Sequence, residues 1–527
     1  GLVGLIISAC STPGDQSKTQ VKEPVDLVNP YMGNISHLLV PTFPTVHLPN
    51  SMLRFVPNRG DFTDIRMKGF PLILTSHRGR RAFRISPFQG AEKDLQPVIE
   101  FSYDQEKLTP YSYSVYLYEQ QIQLDFGLSH QSAAYDIKFE GDAPAYLVLN
   151  SSNGSLSWDG TALSGYQYLS SDTRAFLYLV PERSPQQVSV LENGQLKEAS
   201  SADGRDASLV LSYPEGTRQL SLKYGISFID ESQAKRNMER EVRDKSVAEL
   251  QNLGREIWNE ALGKIKIKGG TADEQAVFYT SFYRCYERQI CISEDGRYWS
   301  PFDNQVHEDQ GRKFYTDDWI WDSYRAHHPL RILIDSEMEE DIIHSFVLMA
   351  EQRDHFWMPT FPRITGDGAA MNSNHGVATV LDAYRKGLKN FDLEQAYEAS
   401  KGAITEKTLA PWSAKPAGEL DRFYVEHGFF PALKVGEEET HPEVHHFERR
   451  QPVAVTLGTS YDHWCLAEIA AELGKTDEAE YIRKASFNYR KLFHPETHFF
   501  HPRDEDGNFV EPFDYIFSGG MGARGYY

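Results

Sequence analysis

Hydrophobic and polar positions alternate along the first part of the chain. Residues 121–126, 135–139 and 220–228 each place an apolar side chain at every second position, with polar or small residues between them. A period of two with one polar face is typical of half-buried antiparallel strands. Asn-Gly or Asp-Gly pairs at 153–154, 159–160, 193–194 and 203–204 are typical of hairpin turns. The pattern therefore predicts a large β-sandwich.

The period changes to that of a helix at Ser232. Apolar residues between Met238 and Ile257 follow helical spacing, and the other face is charged, so we predict a linker helix up to Trp258. A short strand is predicted over residues 264–268. Ser336 and Glu339 match a capping box at the start of a later helix. The further predicted helices are 273–290, 317–333, 336–353, 374–388, 392–405, 460–473 and 476–493.

These elements divide the chain into four predicted segments. Residues 1–23 are a signal remnant and tether, residues 24–231 form the sandwich, and residues 232–268 form the linker helix and strand. Residues 269–527 consist of helix pairs joined by long loops, a pattern that predicts an α/α toroid.

The charge of the chain restricts its partners. With 75 acidic and 54 basic residues among 527, the formal net charge is −21. This excess of acid argues against nucleic acid and anionic membrane surfaces as partners. Aromatic residues make up 13% of the chain, which suits a sugar-binding protein, although large cores also use them. Four cysteines are too few for a disulfide framework.

The first ten residues, GLVGLIISAC, are typical of the apolar part of a secretory signal. Residues 7–10 resemble a bacterial lipobox, in which Cys10 becomes the lipidated first residue. The alternative is a signal peptide that is cleaved without lipidation. We therefore expect a location in the bacterial cell envelope, in the periplasm or as an outer-membrane lipoprotein, with membrane contact only through the lipid anchor.

One stretch, from Tyr315 to Ile334, concentrates the candidate chemistry. Its first fourteen residues include two tryptophans, three aspartates, an arginine and two histidines. Aromatic faces stack on the C–H face of a sugar ring, and a carboxylate accepts hydrogen bonds from adjacent hydroxyls, so the composition fits a neutral polyol. The alternative is a helix start, in which Thr316 or Asp317 caps the helix and acids fill its first turn.

The same stretch resembles the YxTxxxWDTxRxxHPL signature of glycoside hydrolase family 92, the calcium-dependent exo-α-mannosidases. Residues 28–33, 42–44, 295–298, 374–375, 382–384 and 461–464 also resemble segments of that family, in the same order, so the resemblance covers about residues 24–527. The residues that match the signature are Tyr315, Trp321, Asp322, Arg325, His328, Pro329 and Leu330.

The resemblance implies a fold and an activity. The fold is an N-terminal β-sandwich packed on an (α/α)6 toroid, and the activity is the removal of terminal α-linked mannose from glycans, with inversion and with calcium. Trp321 and Asp322 are implied to contact the terminal mannose. Family members continue past the position of Tyr527 into segments with the general acid, the base and most calcium ligands. The toroid is therefore expected to be incomplete, and the chain as given inactive.

Two further residues are candidates because of where their predicted helices begin. His375 lies where one helix begins, and Asp462 lies near the start of another. A toroid directs the starts of its inner helices to one mouth, so both side chains are candidates for contact with substrate. A structural role in a loop or at a helix start is the alternative for each.

The sandwich carries the only basic cluster that stands out in this acidic chain, over residues 77–84. Arg80 and Arg81 are candidates to hold a phosphate or uronate next to the cleaved mannose. The alternative is a surface loop that pairs with local acids.

Three functions remain open at this point. The first is an exo-α-mannosidase. The second is a mannosidase that cleaves mannosyl phosphodiesters, or a toroid glycosidase of another family. The third is a noncatalytic, glycan-binding lipoprotein.

Overall fold

A computed structural model describes residues 22–36, 41–61, 63–76, 79–371 and 374–515. Cys10 and the predicted signal remnant therefore lie outside the described residues, as do His77 and Arg78 of the basic cluster. Within these ranges, no helix is both long enough and apolar enough to cross a membrane.

The predicted N-terminal sandwich is present as a sheet-rich domain. Strands β3–β16 belong to one antiparallel sheet, and β1 and β2 form a separate pair. The strands are β1 Val46–His47, β2 Arg54–Phe55, β3 Arg66–Lys68, β4 Phe70–Leu74, β5 Arg81–Gln89, β6 Glu100–Thr109, β7 Ser112–Leu117, β8 Ile122–Leu128, β9 Ser132–Phe139, β10 Ala145–Trp158, β11 Leu163–Tyr168, β12 Arg174–Pro181, β13 Gln187–Glu192, β14 Gln195–Lys197, β15 Ser201–Tyr213 and β16 Gln219–Ser227.

The long strand β10 is the branch point of this sheet. It pairs with β15 along one side, while its other side pairs first with β5 and then with β11. The alternating residues Ile122, Leu124 and Phe126 of β8 are fully buried, as the period of two predicts. The branched sheet gives a β-sandwich-like domain with its core between the layers.

Two of the four predicted glycine turns are wrong. The pairs at 159–160 and 193–194 do connect strands, but those at 153–154 and 203–204 lie inside β10 and β15, opposite each other. A Cβ on Gly154 would stand 1.9 Å from the carbonyl oxygen of Tyr166 on β11. Gly154 therefore permits a close approach of two strands rather than a turn.

The linker is two helices, α1 Glu231–Glu241 and α2 Val247–Leu262, rather than the single predicted helix. Ser246 caps α2, and its hydroxyl accepts a hydrogen bond from the Glu249 amide. Met238 and Leu250 pack with Ala134 of β9, so both helices cover the sandwich. Residues 264–268, predicted as a strand, form an irregular segment.

The rest of the described chain is mostly helical, as predicted, with short hairpins between helices. Helix α10 packs against α7, α8 and α11. The helices are α3 Ala272–Arg284, α4 Ile320–Ser323, α5 His327–Ile334, α6 Ser336–Glu351, α7 Gly376–Arg385, α8 Leu393–Thr405, α9 Glu419–His427, α10 Pro452–Glu472 and α11 Thr476–Ala485. The strands are β17 Ile290–Cys291, β18 Arg297–Ser300, β19 Gln305–Glu308, β20 Tyr315–Thr316, β21 Pro362–Arg363 and β22 Gly366–Asp367.

The largest difference from the predicted helices lies in the Tyr315–Ile334 stretch. The helix predicted over 317–333 is replaced by the single turn α4 and the separate helix α5. Asp317 has a φ of 63°, in the left-handed region, and neither it nor Thr316 caps α4. The local sequence pattern does not predict the backbone here, because Asp317 and Asp318 form buried ion pairs with residues outside this turn.

Candidate active site

A cavity of about 960 Å³ lies between the sandwich and the helical domain. Pockets that bind small molecules usually measure roughly 300–1,000 Å³, so this cavity is at the upper end of that range. The sandwich contributes Arg80, Arg81, Gln167 and Tyr168, and the helical domain contributes Arg288, Trp319, Asp322, Phe361, Arg363 and Trp412.

Asp317 anchors the segment before α4 to the sandwich. Its carboxylate lies 2.7 Å from Nη1 of Arg54 on β2 and 3.5 Å from Nε of Arg288. The Arg54 and Asp317 side chains are at most 2% exposed. A buried ion pair that loses one partner leaves an uncompensated charge, so this contact strongly couples the two domains.

Asp318 is held by a second buried cluster centred on His328. The imidazole donates from Nε2 to Asp318 at 2.9 Å and from Nδ1 to Glu339 at 2.8 Å. Burial alone would lower the pKa of His328, but Glu339 and Asp318 raise it to about 10. His328 therefore stays charged near neutral pH and bridges two carboxylates.

Other contacts complete the His328 cluster. Ser323 Oγ donates to Asp318 Oδ1 at 2.7 Å, and Gln289 Nε2 donates to Asp318 Oδ2 at 2.7 Å. Because Glu339 points inward to His328, it does not form the predicted capping box with Ser336, and α6 has no side-chain cap. Asp317 and Asp318 are therefore structural residues beneath the site rather than ligands in it.

The anchored segment presents Trp319 and Asp322 to the cavity. The Trp319 ring stacks on Phe361, with centroids 5.6 Å apart, and the Arg288 guanidinium lies 3.5 Å from its centroid. Burial among the surrounding groups raises the pKa of Asp322 above its ordinary value. No described residue donates a hydrogen bond to its carboxylate, which remains accessible from the cavity.

Trp321 does not line the cavity. Its side chain is 39% exposed, and Trp319 provides the aromatic wall instead. Trp319 lies just before the α4 turn, with a φ of −111° and a ψ of 82°, whereas Trp321 lies within the turn.

His375 and Asp462 are hydrogen-bonded to each other and do not line the cavity. His375 Nδ1 donates to Asp462 Oδ1 at 2.6 Å, and the Asn374 amide donates to Oδ2 at 3.0 Å. Both side chains are buried, and neither lines the cavity. Asp462 lies within α10 rather than near the start of a helix. This pair joins the start of α7 to α10.

Arg80 and Arg81 do line the same cavity as Asp322, although they lie more than 200 residues earlier in the sequence. The hairpin between β4 and β5 carries them there. The predicted contribution of the sandwich to the pocket is therefore present in the geometry.

Two family models match nearly the whole described chain. The glycosyl hydrolase family 92 N-terminal domain matches residues 27–227, and the glycosyl hydrolase family 92 catalytic domain matches residues 233–525. The chain belongs to glycosyl hydrolase family 92.

Solved family 92 structures share this fold. An inverting mannosidase from Bacteroides thetaiotaomicron is 27% identical, with a TM-score of 0.82 over 94% of this chain and 69% of its own. An α-mannosidase of the same organism, solved with mannoimidazole, is 22% identical, with a TM-score of 0.81 over 94% of this chain and 67% of its own.

A curated relative from Arthroderma benhamiae is described as an uncharacterized secreted glycosidase. It is 23% identical over 284 residues, which are 53% of this chain. The match spans only 31% of the length of that relative.

The sequence did not reveal several cavity residues of this family 92 member. Arg288 and Trp412 come from two loops, and Phe361 and Arg363 lie at the short strand β21; no local pattern distinguishes these four residues from their neighbours. The one signal in the sequence was Trp319, which lies in the Tyr315–Ile334 stretch but is not one of the residues that match the signature.

We predict that His328→Ala destabilises the fold by about 3–5 kcal/mol, because it leaves Asp318 and Glu339 buried without their partner. The raised pKa of His328 gives a second expectation. The contribution of His328 to the free energy of unfolding should be complete below about pH 6.5 and should decline as the pH rises toward about 10. Denaturant unfolding at several pH values measures both effects.

The control is His446→Ala, which removes an exposed imidazole from the same domain. It should change the free energy of unfolding by less than about 0.5 kcal/mol. Equal stability losses in the two variants, or a loss in His328→Ala that does not shrink at high pH, would contradict the bridging role of His328.

Proposed function

We propose that this family 92 member is an inverting exo-α-mannosidase that removes terminal α-linked mannose from glycans. One observation carries the proposal. An accessible carboxylate, Asp322, and an aromatic wall, Trp319 on Phe361, line a single cavity between the two domains. The mannosidase relatives described above support the choice of mannose.

The cavity residues suit a terminal sugar by their chemistry. Asp322 accepts hydrogen bonds from adjacent hydroxyls, since no described residue already donates to it. The Trp319 ring offers a flat apolar face to the C–H side of the sugar. These two contacts fix the position and the orientation of the sugar ring. Correct positioning is itself a contribution to catalysis.

An inverting glycosidase also needs a general acid and a general base, with their carboxyl groups roughly 6.5–9.5 Å apart. Glu287, the other carboxylate among the described residues that line the cavity, does not suit the role of general acid. Burial alone would raise its pKa, but Arg288 and other nearby cations lower it below the ordinary value. We therefore assign Asp322 to sugar binding and assign neither catalytic role to a described residue.

We include dependence on calcium in the proposal, because the family resemblance implies it. Among the described residues, no group of three or more His, Cys, Asp or Glu side chains could hold a metal ion. The described side chains of these four types thus do not by themselves form a calcium site, and we derive no step through the ion. Loss of mannose release on chelation, with recovery on calcium addition, is the expected result; full activity after chelation would contradict it.

We also propose that the protein acts in the bacterial cell envelope as a lipoprotein anchored at Cys10. The apolar start of the chain and the lipobox-like residues 7–10 support this, and the curated relative is described as secreted. Mass spectrometry of the mature protein should find a lipidated Cys10, and an unmodified thiol there would contradict the anchor.

The activity itself is tested by proton NMR of an α-mannoside incubated with the full-length protein. We expect β-mannose to appear first, because inversion changes the configuration at C1. If α-mannose appears first, or if α-mannosides are not cleaved while another α-glycoside is, the proposal is wrong.

We predict that Asp322→Ala reduces kcat/KM on an α-mannoside by an amount equal to about 3–5 kcal/mol of transition-state stabilisation. Folding should be unaffected, since the carboxylate is accessible and accepts no hydrogen bond from the described chain. Initial-rate kinetics and thermal unfolding measure the two effects separately.

Asp354→Ala is the matched control, because it removes an exposed aspartate of the same domain that does not line the cavity. Its kinetics should match those of the wild type. If Asp322→Ala also retains normal turnover on every cleaved substrate, Asp322 does not contact the sugar.

A further inference from the structure

A small side pocket lies next to the main cavity, within the helical domain. Met371 lines both of them, and two pairs of adjacent residues, Thr360–Phe361 and Trp412–Ser413, place one residue in each. No described residue that lines the side pocket belongs to the sandwich. Its volume is about 10 Å³, which is room for one group the size of a water molecule.

Lys407 is the only charged residue among the described residues that line the side pocket. It is 6% exposed, and its ammonium group forms no hydrogen bond or ion pair with a described residue. Burial lowers the pKa of Lys407 to about 8, although Asp367 opposes this shift, so the amine is mostly charged at pH 7. A buried ammonium without an acceptor costs free energy, which a ligand oxygen would recover.

Asp367, the carboxylate that most affects Lys407, is already occupied by its own segment. It accepts hydrogen bonds from Arg353 Nη1 at 3.1 Å, from the Thr360 hydroxyl at 3.3 Å, and from three backbone amides between residues 360 and 369 at 2.8, 3.0 and 3.2 Å. Two cations, Arg353 and Lys407, therefore share one carboxylate, and only Arg353 pairs with it.

Asn374 contributes an acceptor to the same pocket. Its backbone amide donates to Asp462 Oδ2 at 3.0 Å, which holds the residue in place. Its side chain is buried, and Oδ1 has no hydrogen-bond partner among the described residues. The side pocket thus contains a donor, on Lys407, and an acceptor, on Asn374, that the described chain does not pair.

A hydroxyl group matches this combination. It accepts one hydrogen bond and donates another, so a single hydroxyl pairs with both side chains. A carboxylate or phosphate would be attracted by Lys407 but repelled by the Asn374 oxygen. An ammonium would be repelled by Lys407.

The wall between the two pockets is held in a strained backbone conformation. Ala369, Met371 and Trp412 have φ values of 43°, 65° and 59°, in the left-handed region that side chains rarely adopt. The Trp412 amide donates to the Met371 carbonyl at 3.2 Å, which ties two of these positions together. Such strain is concentrated at ligand sites, where the fold imposes a fixed shape before the ligand binds.

We propose that Lys407 and Asn374 bind one hydroxyl group of the terminal mannose, which enters the side pocket from the main cavity. The inference rests on the proposed mannosidase function and assigns two residues that determine its specificity. Lys407 donates to the hydroxyl oxygen, and the hydroxyl donates to Asn374 Oδ1. An epimer with this hydroxyl on the other side of the ring loses both contacts and leaves both buried groups unpaired.

The test pairs a change in the protein with a change in the substrate. The full-length wild type and Lys407→Met are compared on an aryl α-mannoside and on its four monodeoxy forms. Met has a length similar to that of Lys but no charge. On the parent mannoside, Lys407→Met should lower kcat/KM about 10- to 100-fold, the loss expected for a charge-assisted hydrogen bond.

On the one deoxy form that lacks the bound hydroxyl, the two proteins should have about equal kcat/KM. The intrinsic reactivity of each substrate cancels, because each substrate is compared between two proteins. Equal losses on the parent and on all four deoxy forms would overturn the proposal, because a lysine that only supports the fold affects every substrate alike. Unchanged kcat/KM on every substrate would overturn it as well.

Asn374→Leu is the second variant, because Leu has a similar volume and keeps the backbone amide that binds Asp462. Its loss should disappear on the same deoxy form as the loss of Lys407→Met. Dependence on a different hydroxyl, or on none, would contradict a shared contact. The matched control is Lys484→Met, which removes an exposed lysine of α11 that lines neither pocket and should leave kcat/KM unchanged.

Thermal and denaturant unfolding provide a measurement that is independent of activity. Lys407→Met should be at least as stable as the wild type, since it removes a buried charge without a partner. The pKa of Lys407 is about 8 in the fold against an ordinary value of 10.5, so the wild type should gain stability relative to Lys407→Met as the pH rises between these values. A large loss of stability in Lys407→Met would instead show that Lys407 already has a partner in the fold.

The failures of the two proposals are distinguishable through the binding of mannoimidazole, measured by calorimetry. Cleavage of α-mannosides without any Lys407-dependent hydroxyl would overturn the side-pocket contact and leave the mannosidase function standing. Mannoimidazole binding that weakens in Lys407→Met, without cleavage of any α-mannoside, would overturn the mannosidase function alone. Neither binding nor cleavage would overturn both.

Discussion

The candidate site depends on two buried charge clusters beneath the Asp317–Ser323 segment. Arg54 of the sandwich pairs with Asp317 at 2.7 Å, and His328 joins Asp318 to Glu339. Burying charges costs free energy unless each finds a partner with good geometry, so these contacts tolerate little displacement. They hold one short segment against both domains, and the cavity forms where that segment ends.

This arrangement gives neighbouring residues different roles: some hold the fold together, and others line the cavity. Asp317 and Asp318 point into the protein and are neutralised there, while Trp319 and Asp322 face the cavity. The sandwich completes the site with Arg80 and Arg81, held by Gln167. Arg80 and Arg81, which form no ion pair within the described chain, thus line the cavity of a chain whose net charge is −21. The sandwich is therefore part of the binding surface as well as a support.

The sequence predicted the order of domains because the periods of two and 3.6 reflect burial along whole elements. It failed where long-range contacts override local preference. The glycines at 154 and 204 lie inside paired strands, and the helix predicted over 317–333 is broken by ion pairs to Arg54 and His328. Arg80 and Arg81 were predictable from their charge against an acidic background. The roles of Trp319 and of the His375–Asp462 pair required the spatial arrangement.

The central claim is that the cavity between the domains binds the terminal mannose through Asp322. The most direct test is an experimental structure of this protein with mannoimidazole, the compound bound to the Bacteroides α-mannosidase. We expect the sugar ring in the cavity, with hydroxyls within about 3 Å of the Asp322 carboxylate and one face toward Trp319. Mannoimidazole bound elsewhere, or bound in the cavity without contacting Asp322, would contradict the account.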